Sequence, residues 1–138
     1  MKKVLPAVPK RILLIRLKGI GDVILSTPLV RALRKAFPQA EIHFLTRSLC
    51  APILKHNPYV DRVLVHPEKS ASSWELLRFL QSLRSARYDW VLDLAAEPRS
   101  AWLTLATGAS LRAGYAFRIR KWAFNFVIPK NTVRKYQA

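Results

Sequence analysis

The opening of the chain constrains the fold most: a run of branched apolar residues, a glycine turn, then a helical period. Arg11 to Leu17 (R-I-L-L-I-R-L) is apolar almost without interruption, which suits a strand buried on both faces of a parallel sheet. Lys18-Gly19-Ile20-Gly21-Asp22 then reads as a turn. From Val23 to Phe37 the residues Leu25, Leu29, Leu33 and Phe37 recur every four positions, predicting an amphipathic helix that Pro38 ends. Pro28 falls inside it, so either the helix kinks there or Thr27 caps a restart with Pro28 in its first turn.

The same alternation continues down the chain. Glu41 to Thr46 reads as a second strand, Asn57-Pro58 as a turn, and Arg62 to Val65 as a short third strand. Ser72 with Glu75 forms a capping box ahead of Leu76, Leu80 and Leu83, predicting a helix to about Arg87. Tyr88 to Leu94 is a fourth strand, Ser100 to Thr107 a short helix stopped by Gly108, and Leu111 to Tyr115 a fifth strand. Phe124, Phe126 and Ile128 alternate before Pro129, as an edge strand would. Strands alternating with helices imply an α/β fold, a Rossmann-like parallel sheet with right-handed crossovers and helices on its flanks.

At 138 residues the chain accommodates one ordinary domain, and 51% hydrophobic residues suffice for a core. The single cysteine, Cys50, excludes an intramolecular disulfide framework, suits a reducing compartment, and is expected to be a small core residue. No stretch approaches the roughly 20 apolar residues of a membrane span. The amino terminus resembles a signal peptide only in its positive start, so a cytoplasmic protein is expected. The outlier is charge, 24 basic against 8 acidic residues for a net +16, with eight Lys and Arg and no acid after Glu97. Such a field favours an anionic partner but does not by itself choose one.

The loop after the first strand lies where ligands bind in open parallel sheets. Gly19 and Gly21 let backbone approach a ligand closely, and the helix that follows offers free N–H groups to an anion. It is not a dinucleotide fingerprint: the third glycine would fall at Ile24, and Thr46-Arg47 stands where a ribose-binding carboxylate would end the second strand. It also lacks the G-K-[ST] ending of a P-loop. Asp22 admits two readings. An acid in a first helical turn complements the dipole and caps N–H groups, and a carboxylate in a cleft can accept a proton from an attacking hydroxyl. His43, His56 and His66 are scattered and suggest no metal site.

The run from Ile12 to Leu33 resembles the opening of the family 9 glycosyltransferases, the heptosyltransferases of the lipopolysaccharide inner core. Three further stretches fit in the same order: Asn57 to Leu64; Tyr88 to Leu94 with Arg99-Ser100-Ala101; and Thr107-Gly108-Ala109 with Arg112-Ala113-Gly114-Tyr115. The family usually has a glycine-containing turn where this chain has Ala95-Ala96-Glu97-Pro98. The resemblance implies the amino-terminal half of a GT-B fold, which mainly holds the acceptor. It divides the chain into a basic extension (1–10), the acceptor-side domain (11–129) and the start of a linker toward a second, donor-binding domain (130–138). It implies that Asp22 is the general base; given the acidic acceptor the resemblance implies, Lys18, Arg47, Arg99, Arg120 and Lys121 are expected from charge and position, and Gly19 and Gly21 from the turn they shape, to hold it. No cofactor or metal is expected; an ADP-heptose-type nucleotide-sugar would serve as donor to the complete enzyme. The implied partner is an acidic lipopolysaccharide core acceptor at the cytoplasmic face of the inner membrane, where the protein would sit peripherally. A chain with this half alone is expected to be inactive, with its exposed cleft face open to self-association.

A different class also fits the charge: a non-catalytic anion-binding module using Phe117, Trp122, Phe124 and Phe126 among basic residues on nucleic acid or membrane. Those aromatics alternate as a buried strand would, so nucleic acid is not the expected partner. An NADP-linked oxidoreductase with Arg47 on the extra phosphate founders on the missing third glycine.

Overall fold

In a computed structural model, residues 8–95, 97–115 and 123–128 are described. They form β1 (Arg11–Ile15), α1 (Ile20–Ala36), β2 (Glu41–Thr46), α2 (Ala51–Leu54), β3 (Arg62–Val65), α3 (Ser73–Ser85), β4 (Trp90–Asp93), α4 (Pro98–Ala106), β5 (Leu111–Tyr115) and β6 (Phe126–Ile128). All neighbouring strands pair in parallel, in the order β3-β2-β1-β4-β5-β6. Strand order therefore reverses between β1 and β4, and the crevice beyond their carboxyl ends is the switch point where such sheets take ligands.

β1 explains the layering. Its residues alternate sides, and both sides are buried. Ile12 and Leu14 join Ile42, Phe44, Val23, Val30, Leu33 and Leu54 in one cluster, under α1 and α2. Leu13 and Ile15 join Leu17, Leu45, Val91, Leu83 and Leu103 in the other, under α3 and α4. Each such fully covered side chain contributes about 1.5–3 kcal/mol relative to exposure. β2 is likewise covered on both faces, with only Glu41 exposed. Cys50 is buried in the first cluster, as expected.

α1 differs from its sequence reading in two ways. Its buried residues are Val23, Ser26, Val30 and Leu33, whereas Leu25 is 77% exposed. A four-residue step overshoots the helical period by about 40° each time, so the row drifts around the helix: Leu33 is in the core and Leu29 and Phe37 pack against it, while Leu25 falls outside. The helix also runs through Pro28 without restarting. Pro28 has no N–H to give the carbonyl of Ile24, and the Thr27 hydroxyl donates to that carbonyl instead, at 2.7 Å. Helix α2, a single turn after Cys50, was not anticipated.

Ser72 caps α3 as expected, accepting from the Glu75 N–H at 3.2 Å. β6 pairs with β5 as an edge strand. The turn after β4 forms without glycine: the Ala95 N–H donates to Asp93 Oδ1 (2.9 Å) and the Glu97 N–H to Ser100 Oγ (3.0 Å). Phe124 is 7% exposed and packs on Gly114, where any Cβ would meet the ring at 2.4 Å. It therefore presents no stacking face to a base. Phe117 and Trp122 lie outside the described residues.

At the amino ends of the strands, His43 is buried with its Nδ1 2.7 Å from the Tyr88 hydroxyl and its Nε2 3.3 Å from Glu41. Burial, with Arg62 and Arg11 nearby, lowers its pKa against the opposing pull of Glu41. Burial also pushes the Tyr88 hydroxyl up to about 12.

Candidate active site

The site is assembled where β1 hands over to α1. The Arg16 N–H extends the β1–β2 ladder to Leu45 O (3.1 Å), and Leu94 N–H reaches Ile15 O (2.9 Å) from β4. The backbone then turns at Gly19, with φ +85°, a conformation that side-chain-bearing residues rarely adopt. Val23 N–H closes the first helical bond to Gly19 O at 2.9 Å.

Asp22, in the first turn of α1, folds back over Gly19. A Cβ added there would stand 2.5 Å from Asp22 Oδ2, so φ favours glycine and any side chain would displace the carboxylate from its place. Arg16 Nη2 holds the same carboxylate oxygen at 2.7 Å, while Arg16 Nη1 donates to the carbonyl of Leu94 at the end of β4. Arg16 thus spans the switch point and fixes the carboxylate between β1 and β4. The Asp22 side chain remains 52% exposed. It is anchored on one side and open on the other, a geometry that lets it receive a proton from a group in the crevice.

Gly21 differs from Gly19. It sits within the helix, and a side chain there would meet nothing within 4 Å. The fold does not need its small size, and its lack of a side chain leaves open space at the start of α1.

Lys18 is mostly exposed, its Nζ 3.9 Å from Glu97 Oε1. That contact links the glycine loop to the start of α4, which carries Arg99 in its first turn. Arg99 and Arg47, from opposite sides of the switch point, line one pocket of about 460 Å³ with Ser48, His66, Lys69, Ser70 and one acid, Glu68, which accepts from Ser48 Oγ at 2.8 Å. Burial lowers the His66 pKa, with Arg99 and Arg47 adding to the effect and the Pro67 carbonyl opposing it. Both guanidinium groups therefore bear on one small space, and a bidentate anion would suit it. Of the expected site residues, Asp22, Gly19, Gly21 and Lys18 form one group and Arg47 and Arg99 a second. Arg120 and Lys121 lie outside the described residues.

Sequence reasoning missed Arg16, His66 and Lys69. A cation interrupting an apolar strand end was a usable signal for Arg16, and His66 directly follows β3 in the same way. Among the described residues no group of three or more His, Cys, Asp or Glu side chains could hold a metal ion.

Residues 76–138 match the profile of glycosyltransferase family 9 (heptosyltransferase). Lipopolysaccharide heptosyltransferase 1 of Campylobacter coli is 32% identical over 91 residues, 66% of this chain and 27% of that protein. Lipopolysaccharide heptosyltransferase 2 of Escherichia coli (strain K12) is 29% identical over 119 residues, 85% of this chain and 34% of that protein. The solved structure of an E. coli ADP-heptose lps heptosyltransferase II superposes with a TM-score of 0.73 at 30% identity, over 85% of this chain and 34% of that one. The chain thus spans about a third of the length of the relatives it matches.

Proposed function

We propose, for a chain that belongs to glycosyltransferase family 9 and has the Rossmann-like fold found in GT-B heptosyltransferases, that its carboxyl edge is the acceptor side of a heptosyl-transfer cleft. The observation that carries this reading is the Asp22 carboxylate, pinned by Arg16 at the switch point with half its surface open. In the proposed reaction an acceptor hydroxyl attacks the anomeric carbon of an ADP-heptose-type donor. The new C–O bond forms as the bond to the nucleotide diphosphate breaks, and the hydroxyl proton passes to Asp22. Arg16 acts as a positioning residue, since it touches the carboxylate and not the substrate.

Arg47 and Arg99 hold the carboxylates or phosphates of a lipopolysaccharide core acceptor, with Lys18 at the mouth of the loop and Arg120 and Lys121 as further cations. Gly21 leaves room for the acceptor to approach the start of α1. The work is placed at the cytoplasmic face of the inner membrane, with the protein peripheral to it. The donor is held by residues beyond the third of the family's length seen here, so the 138 residues alone bind acceptor without turnover.

The test is Asp22→Asn in a protein that carries both sides of the cleft. Loss of a positioned base costs about 10²–10⁴-fold in rate, with acceptor affinity largely kept. Transfer near the wild-type rate would remove Asp22 from the chemistry, and turnover by the isolated 138-residue chain would remove the division of labour.

A further inference from the structure

We propose that His66 takes up a proton together with the anion that Arg47 and Arg99 hold, so that the pocket grips an oxyanion more tightly as pH falls. The histidine directly follows β3, and its backbone N–H donates to Thr46 O at 2.8 Å, which keeps it at the carboxyl edge beside Arg47. Phe79 of α3 packs edge-on against the buried ring, with centroids 5.6 Å apart. Nδ1 lies 2.7 Å from the Pro67 carbonyl. A carbonyl only accepts, so Nδ1 carries the hydrogen and the neutral ring keeps its lone pair at Nε2. Nε2 has no hydrogen-bond partner among the described residues, and the ring lines the pocket.

The neighbours decide what that nitrogen does. Arg47 reaches the pocket from the end of β2, Lys69 from the segment after β3, and Arg99 from the first turn of α4. Among the described residues none of these three cations is in an ion pair. Glu68, the acid on this pocket, receives the Ser48 hydroxyl, and α3 turns the apolar Phe79 to the ring. Burial disfavours the charged ring and Arg99 and Arg47 repel it further, which outweighs the Pro67 carbonyl and leaves His66 neutral at pH 7.

An oxyanion between the two guanidinium groups offers acceptor atoms only, which the lone pair of a neutral Nε2 repels. A proton on Nε2 turns that repulsion into a further charge-assisted hydrogen bond. The anion in turn cancels the positive field that opposed protonation. Each event favours the other, and the coupling is reciprocal. The proposal rests on the reading of Arg47 and Arg99 as holders of the acceptor's anionic groups, and adds His66 to them as the group that makes their grip depend on pH. It is independent of Asp22, because its test involves no transfer reaction.

The experiment follows the histidine ring Cε1–H signals of the full 138-residue chain between pH 5.5 and pH 8, in sulfate and in chloride of matched ionic strength. Sulfate is the probe because it stays a dianion throughout. In chloride the His66 midpoint should lie below 6.5. Saturating sulfate should raise it by at least about one unit, equivalent to a tenfold gain in sulfate affinity on protonation, while the exposed His56 moves far less. The Arg47→Gln/Arg99→Gln double variant should lose the response. His66→Asn, which has an N–H donor but no titrating group, should bind sulfate with an affinity that no longer varies with pH. Equal movement of His66 and His56 would mean charge screening alone and overturn the proposal, as would a response that survives in the double arginine variant. An unmoved His66 midpoint, with sulfate still shifting the Arg47 and Arg99 amides, overturns the proposal and spares the anion pocket. No sulfate shift at any of the three overturns both.

Discussion

Gly19→Ala and Gly21→Ala, two substitutions of the same chemistry two residues apart, should move stability in opposite directions. At Gly19 an alanine must adopt φ +85°, which costs about 1–2 kcal/mol for an L-residue. Its Cβ would also stand 2.5 Å from Asp22 Oδ2, so the carboxylate must swing away from Arg16. That ion pair is half exposed and contributes no more than about 1 kcal/mol. The stiffer unfolded chain returns about 0.4–1 kcal/mol, leaving a net loss of about 1–2 kcal/mol. At Gly21 the helical backbone suits alanine and the space is empty, so the same substitution should stabilise by up to about 1 kcal/mol. Urea titration of the two variants beside the wild type reads the difference, about 2 kcal/mol with unchanged slope. Coincident midpoints, or a Gly19→Ala chain more stable than Gly21→Ala, would refute the account of how this loop is built.

Acid should weaken the fold in two stages. His43 and His66 are held below their ordinary 6.5, chiefly by burial, so the unfolded chain binds protons first and stability falls as pH drops below about 6.5. Asp61 adds a second decline below its ordinary 3.8: burial pushes its carboxyl up, but the Ile42 N–H and Arg34 outweigh this and hold it lower. Urea midpoints that rise from pH 8 to pH 5.5 would contradict the first stage. Gly114→Ala should cost about 1–3 kcal/mol, because Phe124 must leave its seat; thermal melts measure it, and an unchanged midpoint would show that the ring is not packed there. Asp22→Asn should change stability by less than about 1 kcal/mol, since the lost ion pair is half exposed, so that any loss of transfer can be read as chemistry.

The strands and the layering were readable because β1 announces burial on both faces and because β2, β3 and β5 are bounded by turn residues. The stripe of α1 was legible in part: Leu33 is in the core with Leu29 and Phe37 packed against it, whereas Leu25 falls off the face because residues spaced by four drift around the helix, and Val23 and Val30 complete the contact. Asp22 was visible as a candidate, but its partner was not. Arg16 reaches it through a fold in the backbone and donates its second bond to the Leu94 carbonyl, a group with no side-chain signature. The convergence of Arg47 and Arg99 likewise depends on β2 and β4 flanking β1, which only the strand order reveals.

The most direct test of the central claim is the amide spectrum of the isotopically labelled chain, recorded as an acidic lipopolysaccharide core acceptor is titrated in. The account predicts shifts concentrated at Lys18 to Asp22, Arg47 and Arg99, on the carboxyl edge of the sheet. Shifts gathered instead around Arg11, Glu41 and Arg62 at the amino edge, or none at saturating acceptor, would contradict it.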